Sequence, residues 1–159
     1  MARLSLFYFI SMSDYLEVLN IVVIGLVGLI ITFYYQYHNS KLAHDKMNKE
    51  LFTEFNKRYD ALNDFLLEIE ATCKTLEDVS AKPELKYKLN DFFNLCAEEY
   101  YWKQKGRIDK SIWEGWCAGM NSWYNRVDII QEAWDVEIEK YGCKAYYIKR
   151  KDDFFKKAS

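Results

Sequence analysis

The sequence offers few side chains suited to acid–base or metal chemistry, and the strongest group is a pair of adjacent glutamates. Glu98 and Glu99 lie in an otherwise apolar stretch, L-C-A-E-E-Y-Y-W, and Arg58 lies upstream in F-N-K-R-Y-D. A metal or acid–base site would need further acids or histidines one helical turn away, and residues 100–103 supply none. We therefore expect a structural salt bridge in which Arg58 pairs with Glu98 or Glu99 and joins two antiparallel helices.

The histidines and cysteines form no recognisable catalytic or metal-binding motif. His38 and His44 are six residues apart, which places them on different faces of a helix, so we expect polar side chains at a membrane interface. The cysteines are too far apart for a C-x-x-C motif, and we expect them to be free fillers of apolar space in a reducing cytoplasm: Cys73, Cys96, Cys117 and Cys143. We expect no metal, no cofactor and no enzymatic activity.

Tryptophans recur at helical spacing in the C-terminal half of the chain. This tryptophan series consists of Trp113, Trp116, Met120, Trp123, Val127, Ile130 and Trp134. Its alternating steps of three and four predict one continuous helix over residues 109–140, with the tryptophans buried in a core or a subunit interface. Gly115 and Gly119 lie beside the series and would let a neighbouring helix approach. A surface for stacking nucleic-acid bases is the alternative, but basic residues are sparse there.

The composition predicts that helices carry all of these residues. Of 159 residues, 50% are hydrophobic and 18% aromatic, with one proline and six glycines. The chain is too apolar to be disordered and has too few turn residues for an all-β protein. Its net charge of −2 argues against wrapping nucleic acid through phosphate contacts, and we expect no DNA partner. We predict an all-α fold.

An uncharged run near the N-terminus predicts a transmembrane helix. Residues 18–35 carry no charge, and a helix of residues 15–35 would be about 30 Å long, close to the hydrocarbon thickness of a bilayer. Lysines follow the run and acids precede it, which places the C-terminal part in the cytoplasm. A buried core helix and a cleaved signal peptide are the alternatives. The predicted divisions are an interfacial or disordered segment (1–14), a transmembrane helix (15–37) and a cytoplasmic helical domain (38–159).

One face of the predicted span carries small and polar residues. At 100° per residue these positions, which we call the polar stripe, fall within an arc of about 140°: Glu17, Asn20, Gly25, Gly28, Thr32 and Tyr35. The opposite arc holds Leu, Val, Ile and Phe. Such a stripe is typical of a helix that faces other helices or a water-filled lumen. We expect self-association through this face, with Glu17, Asn20, Gly25, Gly28 and Thr32 at the helix contacts or lining a pore.

Local signals predict where the remaining helices begin and end. The span should continue into a long helix ending near Thr72–Lys74, because no Gly or Pro interrupts residues 29–82. The later signals are Pro83 at a first turn, Gly106 at a C-terminus, Asp109 as a cap and Gly142 at a C-terminus. Residues 144–159 carry six basic and two acidic residues among four aromatics, which suits a solvated end or contact with anionic lipid or RNA.

The order of these features resembles a group of small bacterial membrane proteins, some of them from antiviral loci. The similarity is carried by the single span, F-x-x-R-Y-D-x-L-N in residues 55–63, F-F-N-L-C-A-E-E-Y-Y in residues 92–101, and the K-G-R-I-D and I-W-x-x-W segments. Within that group the chain is most similar to the membrane accessory proteins of type VI-B CRISPR systems, which assist an RNA-guided RNA nuclease. The resemblance implies a bacterial inner-membrane effector that oligomerises into a pore.

The resemblance does not supply a catalytic site. That family was described as carrying a divergent HEPN ribonuclease motif, an Arg closely followed by a His, whereas the only Arg before either histidine here is Arg3. Two hypotheses follow: a homo-oligomeric pore in antiviral defence, or a membrane-tethered helical adaptor for a partner protein. A membrane-bound RNase is a third option. The expected partners are further copies of the chain, the lipid bilayer, and an RNA-guided CRISPR nuclease or its products.

Overall fold

The computed structural model describes residues 12–157, and every regular element in that range is a helix. In chain order these are α1 (Met12–Thr72), α2 (Leu76–Ser80), α3 (Pro83–Gln104), α4 (Lys110–Arg126), α5 (Asp128–Tyr141) and a 3-10 helix (Cys143–Tyr146). The predicted all-α fold with one long apolar N-terminal helix is confirmed. Helix α1 is 61 residues long and continues past the uncharged run, as the sequence predicts.

The chain divides into two compact units after His44. We call residues 12–44 the N-terminal segment and residues 45–157 the helical domain. The division lies several residues beyond the predicted boundary between 37 and 38. Of the predicted N-terminal interfacial segment, residues 1–11 lie outside the described residues, whereas residues 12–14 already belong to α1.

The helical domain builds its core from one face of each helix. In α1 the buried apolar residues recur at steps of three, four and seven: Phe55, Leu62, Leu66 and Ile69. They pack in one cluster with apolar residues of α3, α4 and α5. Trp134 of α5 is fully buried. Ring contacts join it to Phe93 at 5.2 Å between centroids and to Phe154 of the C-terminal tail at 5.3 Å.

The helix ends follow local chemistry. Helix α1 ends at Thr72 and α3 begins with Pro83 at its first turn. Gly106 and Gly142 adopt positive φ angles of 64° and 76° just after α3 and α5, where a residue with a Cβ would be strained. Helix α2, which was not predicted, has a capping box in which Thr75 and Asp78 satisfy each other's backbone N–H groups.

The prediction of one continuous helix over residues 109–140 is wrong. The chain leaves the helical conformation at Val127, whose φ and ψ are −117° and 98°, and α5 starts at Asp128. Val127 is itself buried, and Trp123 before the break and Ile130 after it are buried in the same core. The spacing of apolar residues therefore passes through the break unchanged and does not reveal it.

Candidate functional site

The N-terminal segment presents an apolar helix surface that no other described residue covers. It contains an 18-residue stretch long and apolar enough to cross a membrane, by length and composition, and none of that stretch is buried. Its large side chains are exposed, Ile24 for example by 71%. Water is a poor solvent for such a surface, because each Val, Leu, Ile or Phe side chain gains about 1.5–3 kcal/mol on burial.

The polar stripe lies on this helix, and the residues predicted for it are all exposed. A Cβ atom added to Gly25 or Gly28 would meet no heavy atom of residues 12–157 within 4 Å, so the described part of the chain leaves this face open. Thr32 donates from Oγ1 to the carbonyl oxygen of Gly28 at 2.8 Å, which satisfies its hydroxyl within the helix. Asn20 and Glu17 are therefore the stripe residues whose polar groups most need a hydrogen-bonding partner when the helix lies in lipid.

In the helical domain, the structure brings Arg58 of α1 together with Glu98 of α3. Arg58 Nη1 lies 2.6 Å from Glu98 Oε2, and Nη2 donates to Oε1 at 3.2 Å. The two side chains are 34% and 39% exposed, so water screens this pair. The hydrogen bond to Glu98 raises the pKa of Arg58, which remains charged. The bridge joins two helices, as expected, but it uses only one of the two glutamates.

Glu99 has a different environment from its neighbour. It is 4% exposed, and among the described residues no cation lies within 4 Å of its carboxyl group. Burial raises the pKa of Glu99 to about 8, against the charge of Arg58, which lowers it, while the charge of Glu98 adds to the increase. The carboxyl group is thus mostly protonated at neutral pH, and it can donate as well as accept a hydrogen bond.

Glu99 lines a cavity of about 130 Å³ between α1, α3 and α4. Two indole N–H groups fix polar side chains in its wall. Trp116 Nε1 donates to Asn56 Oδ1 at 3.0 Å, and Trp123 Nε1 donates to Tyr59 Oη at 2.8 Å. Neither Asn56 nor Tyr59 belongs to a recognisable catalytic or metal-binding motif in the sequence. Neither residue carries a sequence signal for this role.

Within one copy, no described helix packs closely against Gly115 or Gly119. A Cβ at Gly115 would meet no heavy atom within 4 Å, and one at Gly119 would meet only the hydroxyl of Tyr59, at 3.9 Å. Both glycines line the cavity instead. They widen it, since any side chain there would occupy part of its volume.

The predicted tryptophan series contributes to the core to different extents. Trp123 and Trp134 are buried, and so is Met120, whereas Trp113 and Trp116 are half-buried. The Arg126 guanidinium lies 4.1 Å from the centre of the Trp123 ring. With its rings engaged within the domain, the series does not present a surface for stacking bases.

Three further predicted features have their own surroundings. Asp109 stands at the N-cap of α4, but its carboxylate accepts from Asn48 Nδ2 at 3.0 Å and makes no capping bond. The His38 ring lies 5.6 Å from that of Tyr34, one turn away. The four cysteines are free. Within the described part of the chain, no three His, Cys, Asp or Glu side chains are grouped as metal ligands.

The C-terminal tail is neither a solvated end nor a free aromatic surface. Phe154 and Phe155 are 1% exposed, and Trp134 Nε1 donates to the Lys151 carbonyl oxygen at 3.0 Å. Asn121 holds the tail further, since it donates to the carbonyl oxygen of Phe154 and accepts from the backbone N–H of Lys156. The basic residues of the tail remain exposed while its phenylalanines complete the core.

Comparison with known proteins adds no relative: no family model, no curated protein and no solved structure matches this chain. Two structural features remain as candidates for function. One is the exposed N-terminal segment with its polar stripe, and the other is the cavity beside Glu99.

Proposed function

We propose that the chain is a single-span membrane effector that homo-oligomerises into a pore. The observation that carries the proposal is the N-terminal segment, which exposes a continuous apolar helix. One of its faces carries the small and polar residues of the polar stripe, with isoleucines between them. Lipid is the solvent that suits the apolar face. The stripe suits contact with copies of the same helix, because Gly25 and Gly28 leave space for another backbone.

The packing of the helical domain bears on which surface would mediate self-association. Its buried tryptophans, Trp123 and Trp134, pack within the single chain and are not available to bind a second copy. The stripe is then the surface that would hold copies together. In a ring of such helices part of the stripe faces a lumen, and Asn20 is the polar side chain suited to line it.

The biological setting of the proposal rests on the sequence resemblance. The proposed role is that of an effector of CRISPR-linked antiviral defence in the bacterial inner membrane. The lysines that follow the span support a cytoplasmic helical domain. Further copies, the bilayer and an RNA-guided nuclease or its products would be its partners. The proposed action is permeabilisation of the membrane, with no enzymatic step.

A membrane-tethered adaptor is the second candidate, and one surface favours it. Tyr87, Val136 and Tyr141 are large, exposed and grouped around an open groove of about 330 Å³ between α3 and α5. A partner protein could bury these side chains there. In that case the span serves as an anchor and the stripe need not bring copies together.

Particle mass and membrane leakage test the proposal. We expect the full chain in mild detergent to have the mass of many copies, and to release dye when inserted into liposomes. Gly28→Leu should reduce the mass to that of one or two chains, because the added side chain fills the space left for a neighbouring helix. Val23→Leu, on the opposite arc, is the matched control and should leave the assembly intact.

Asn20→Leu separates assembly from conduction. It should preserve the mass of the assembly but reduce dye release, since an apolar ring at that level favours dewetting of the lumen. A preparation that is inserted and oligomeric yet never leaks would remove the pore and leave the adaptor.

A further inference from the structure

The Glu99 carboxyl group lies at the wall of a cavity, in a residue that is 4% exposed. Its neighbour Glu98 accepts the two hydrogen bonds that Arg58 donates across to α3. Within residues 12–157 no donor or acceptor is in hydrogen-bond contact with the Glu99 carboxyl. The hydrogen-bonding capacity of the carboxyl group is therefore available to a ligand in the cavity.

Two further side chains in the wall each retain a group that can donate a hydrogen bond. An indole N–H can only donate, so Asn56 must accept from Trp116 through Oδ1, which leaves its Nδ2 group to donate. By the same logic Tyr59 accepts from Trp123 and keeps its own O–H as a donor. Burial also raises the pKa of Tyr59, which keeps that proton in place. The wall therefore offers donors from Asn56, Tyr59 and the protonated Glu99.

The size of the cavity is set by two glycines. Gly115 and Gly119 are four residues apart on one face of α4, and among the described residues only the Tyr59 hydroxyl comes within 4 Å of a Cβ placed at either one. Glycine inside a helix lowers its stability, and no close contact requires it here. The volume of about 130 Å³ is close to that of engineered cavities that hold a benzene ring, about 150 Å³. Leu95 and Met120 give the wall an apolar part.

We propose that this cavity binds a small uncharged molecule whose carbonyl group accepts hydrogen bonds from Asn56, Tyr59 and Glu99, and whose apolar body packs on Leu95 and Met120. An amide fits best, because its N–H can also donate to the carbonyl oxygen of Glu99. An anion is unfavourable, since Arg58 is already paired with Glu98 and no other cation lines the wall. A cation is unfavourable near neutral pH, since Glu99 would first have to lose the proton that burial favours. The site is independent of the pore proposed above.

Benzamide is the probe for this site, with benzoate and benzylamine as an anion and a cation of matched size. Each is added to the full chain in nanodiscs, with nanodiscs lacking protein as the blank, and binding is followed by saturation-transfer NMR. We expect saturable binding of benzamide alone. Equal or stronger binding of either charged probe would overturn the proposed ligand class. If none of the three probes binds, the cavity holds only water and the proposal is refuted.

Variants of the wall locate the bound probe. Gly119→Leu should abolish benzamide binding by filling the cavity, whereas Ala118→Leu, on the exposed face of the same helix, should not change it. Glu99→Leu should weaken binding about tenfold through loss of a hydrogen bond, and Glu99→Gln should largely retain it. Circular dichroism checks that each variant is folded. Unchanged benzamide binding by folded Gly119→Leu would refute the site, whatever the outcome of the leakage assay.

Discussion

Ile21, Ile24 and Phe33 of the N-terminal segment are 67–71% exposed, whereas Ile69 and Phe92 of the helical domain are fully buried. The two regions use the same apolar residue types, and α1 contributes helix to both. The difference lies in what surrounds the helix. In the helical domain the apolar face of α1 packs in one cluster with α3, α4 and α5, while the apolar stretch of the segment is not buried by any described residue. The same types of side chain therefore stabilise the fold in one region, whereas in the other they require lipid or further copies of the chain to bury them.

This contrast has a direct experimental consequence. Substitutions in the helical domain should change its free energy of unfolding, and substitutions in the N-terminal segment should change insertion or assembly instead. All five tryptophans lie in the helical domain, so their fluorescence during denaturation reports on that region alone.

The largest expected effect is that of Trp134→Ala. The ring is fully buried among Phe93, Tyr146 and two phenylalanines of the tail, and its loss should lower the free energy of unfolding by about 3–5 kcal/mol. Ile24→Ala, in the N-terminal segment, should leave that quantity unchanged. Chemical denaturation of the full chain in detergent, followed by fluorescence and circular dichroism, measures both. Equal effects of the two changes would break the comparison between the regions.

The pH dependence of stability tests the burial of Glu99. Below about pH 4.5, the ordinary pKa, folded and unfolded chains both hold the proton. Between about pH 4.5 and 8 the unfolded chain loses it and the folded chain keeps it, so stability falls as pH rises and levels off above the folded pKa. Relative to Glu99→Gln, the loss should be about 1.4 kcal/mol per pH unit in the middle of this range, and a few kcal/mol in all.

The variant provides the control for this measurement. Glu99→Gln cannot titrate, while the other acids and bases of the chain are the same in both proteins. Subtracting one stability profile from the other thus isolates Glu99. Parallel profiles from pH 5 to 8 would mean that water reaches the carboxyl group and that its pKa is ordinary.

The end of α1 near Thr72, the start of α3 at Pro83 and the end of α5 before Gly142 were all predictable, since each depends on residues within one turn. The break at Val127 was not, because the buried residues on both sides keep helical spacing. The tail was also missed. Its phenylalanines lie between charged residues, and only the three-dimensional structure shows that they close the core over Trp134.

The candidate site was predictable in part for a similar reason. The sequence indicates that Arg58 faces a helix carrying Glu98 and Glu99, but adjacent residues differ by 100° around a helix. Which glutamate meets Arg58 depends on the rotation of α3 against α1, and that rotation follows from the whole core. Asn56 and Tyr59 line the cavity only because indole groups from α4 reach them, which no local pattern in α1 records.

Arg58→Ala should have a moderate effect. Removing one partner of a salt bridge sealed from water would cost roughly 3–5 kcal/mol. The side chains are about a third exposed, so we expect a decrease of about 1 kcal/mol in the free energy of unfolding. Lys57→Ala, at the exposed neighbouring position, is the control. Denaturation near pH 7 measures both, and a loss as large as that of Trp134→Ala would show that the bridge is effectively sealed from water.

The smallest expected effects come from one glycine substitution in each region. They give the most direct test of the difference between the two regions. A Cβ at Gly115 in α4 or at Gly28 in the N-terminal segment meets no heavy atom within 4 Å in the chain, so neither substitution creates a clash within one copy. Gly115→Ala should stabilise the helical domain by about 0.5–1 kcal/mol through helix propensity, and leave the mass of the assembly unchanged. Gly28→Ala should leave the unfolding of the helical domain unchanged but weaken association between copies, because even one methyl group separates closely packed helices. Denaturation and particle mass, measured on both variants, give four results. If instead Gly115→Ala weakened association and Gly28→Ala left it unchanged, the open face of α4, and not the polar stripe, would hold copies of the chain together.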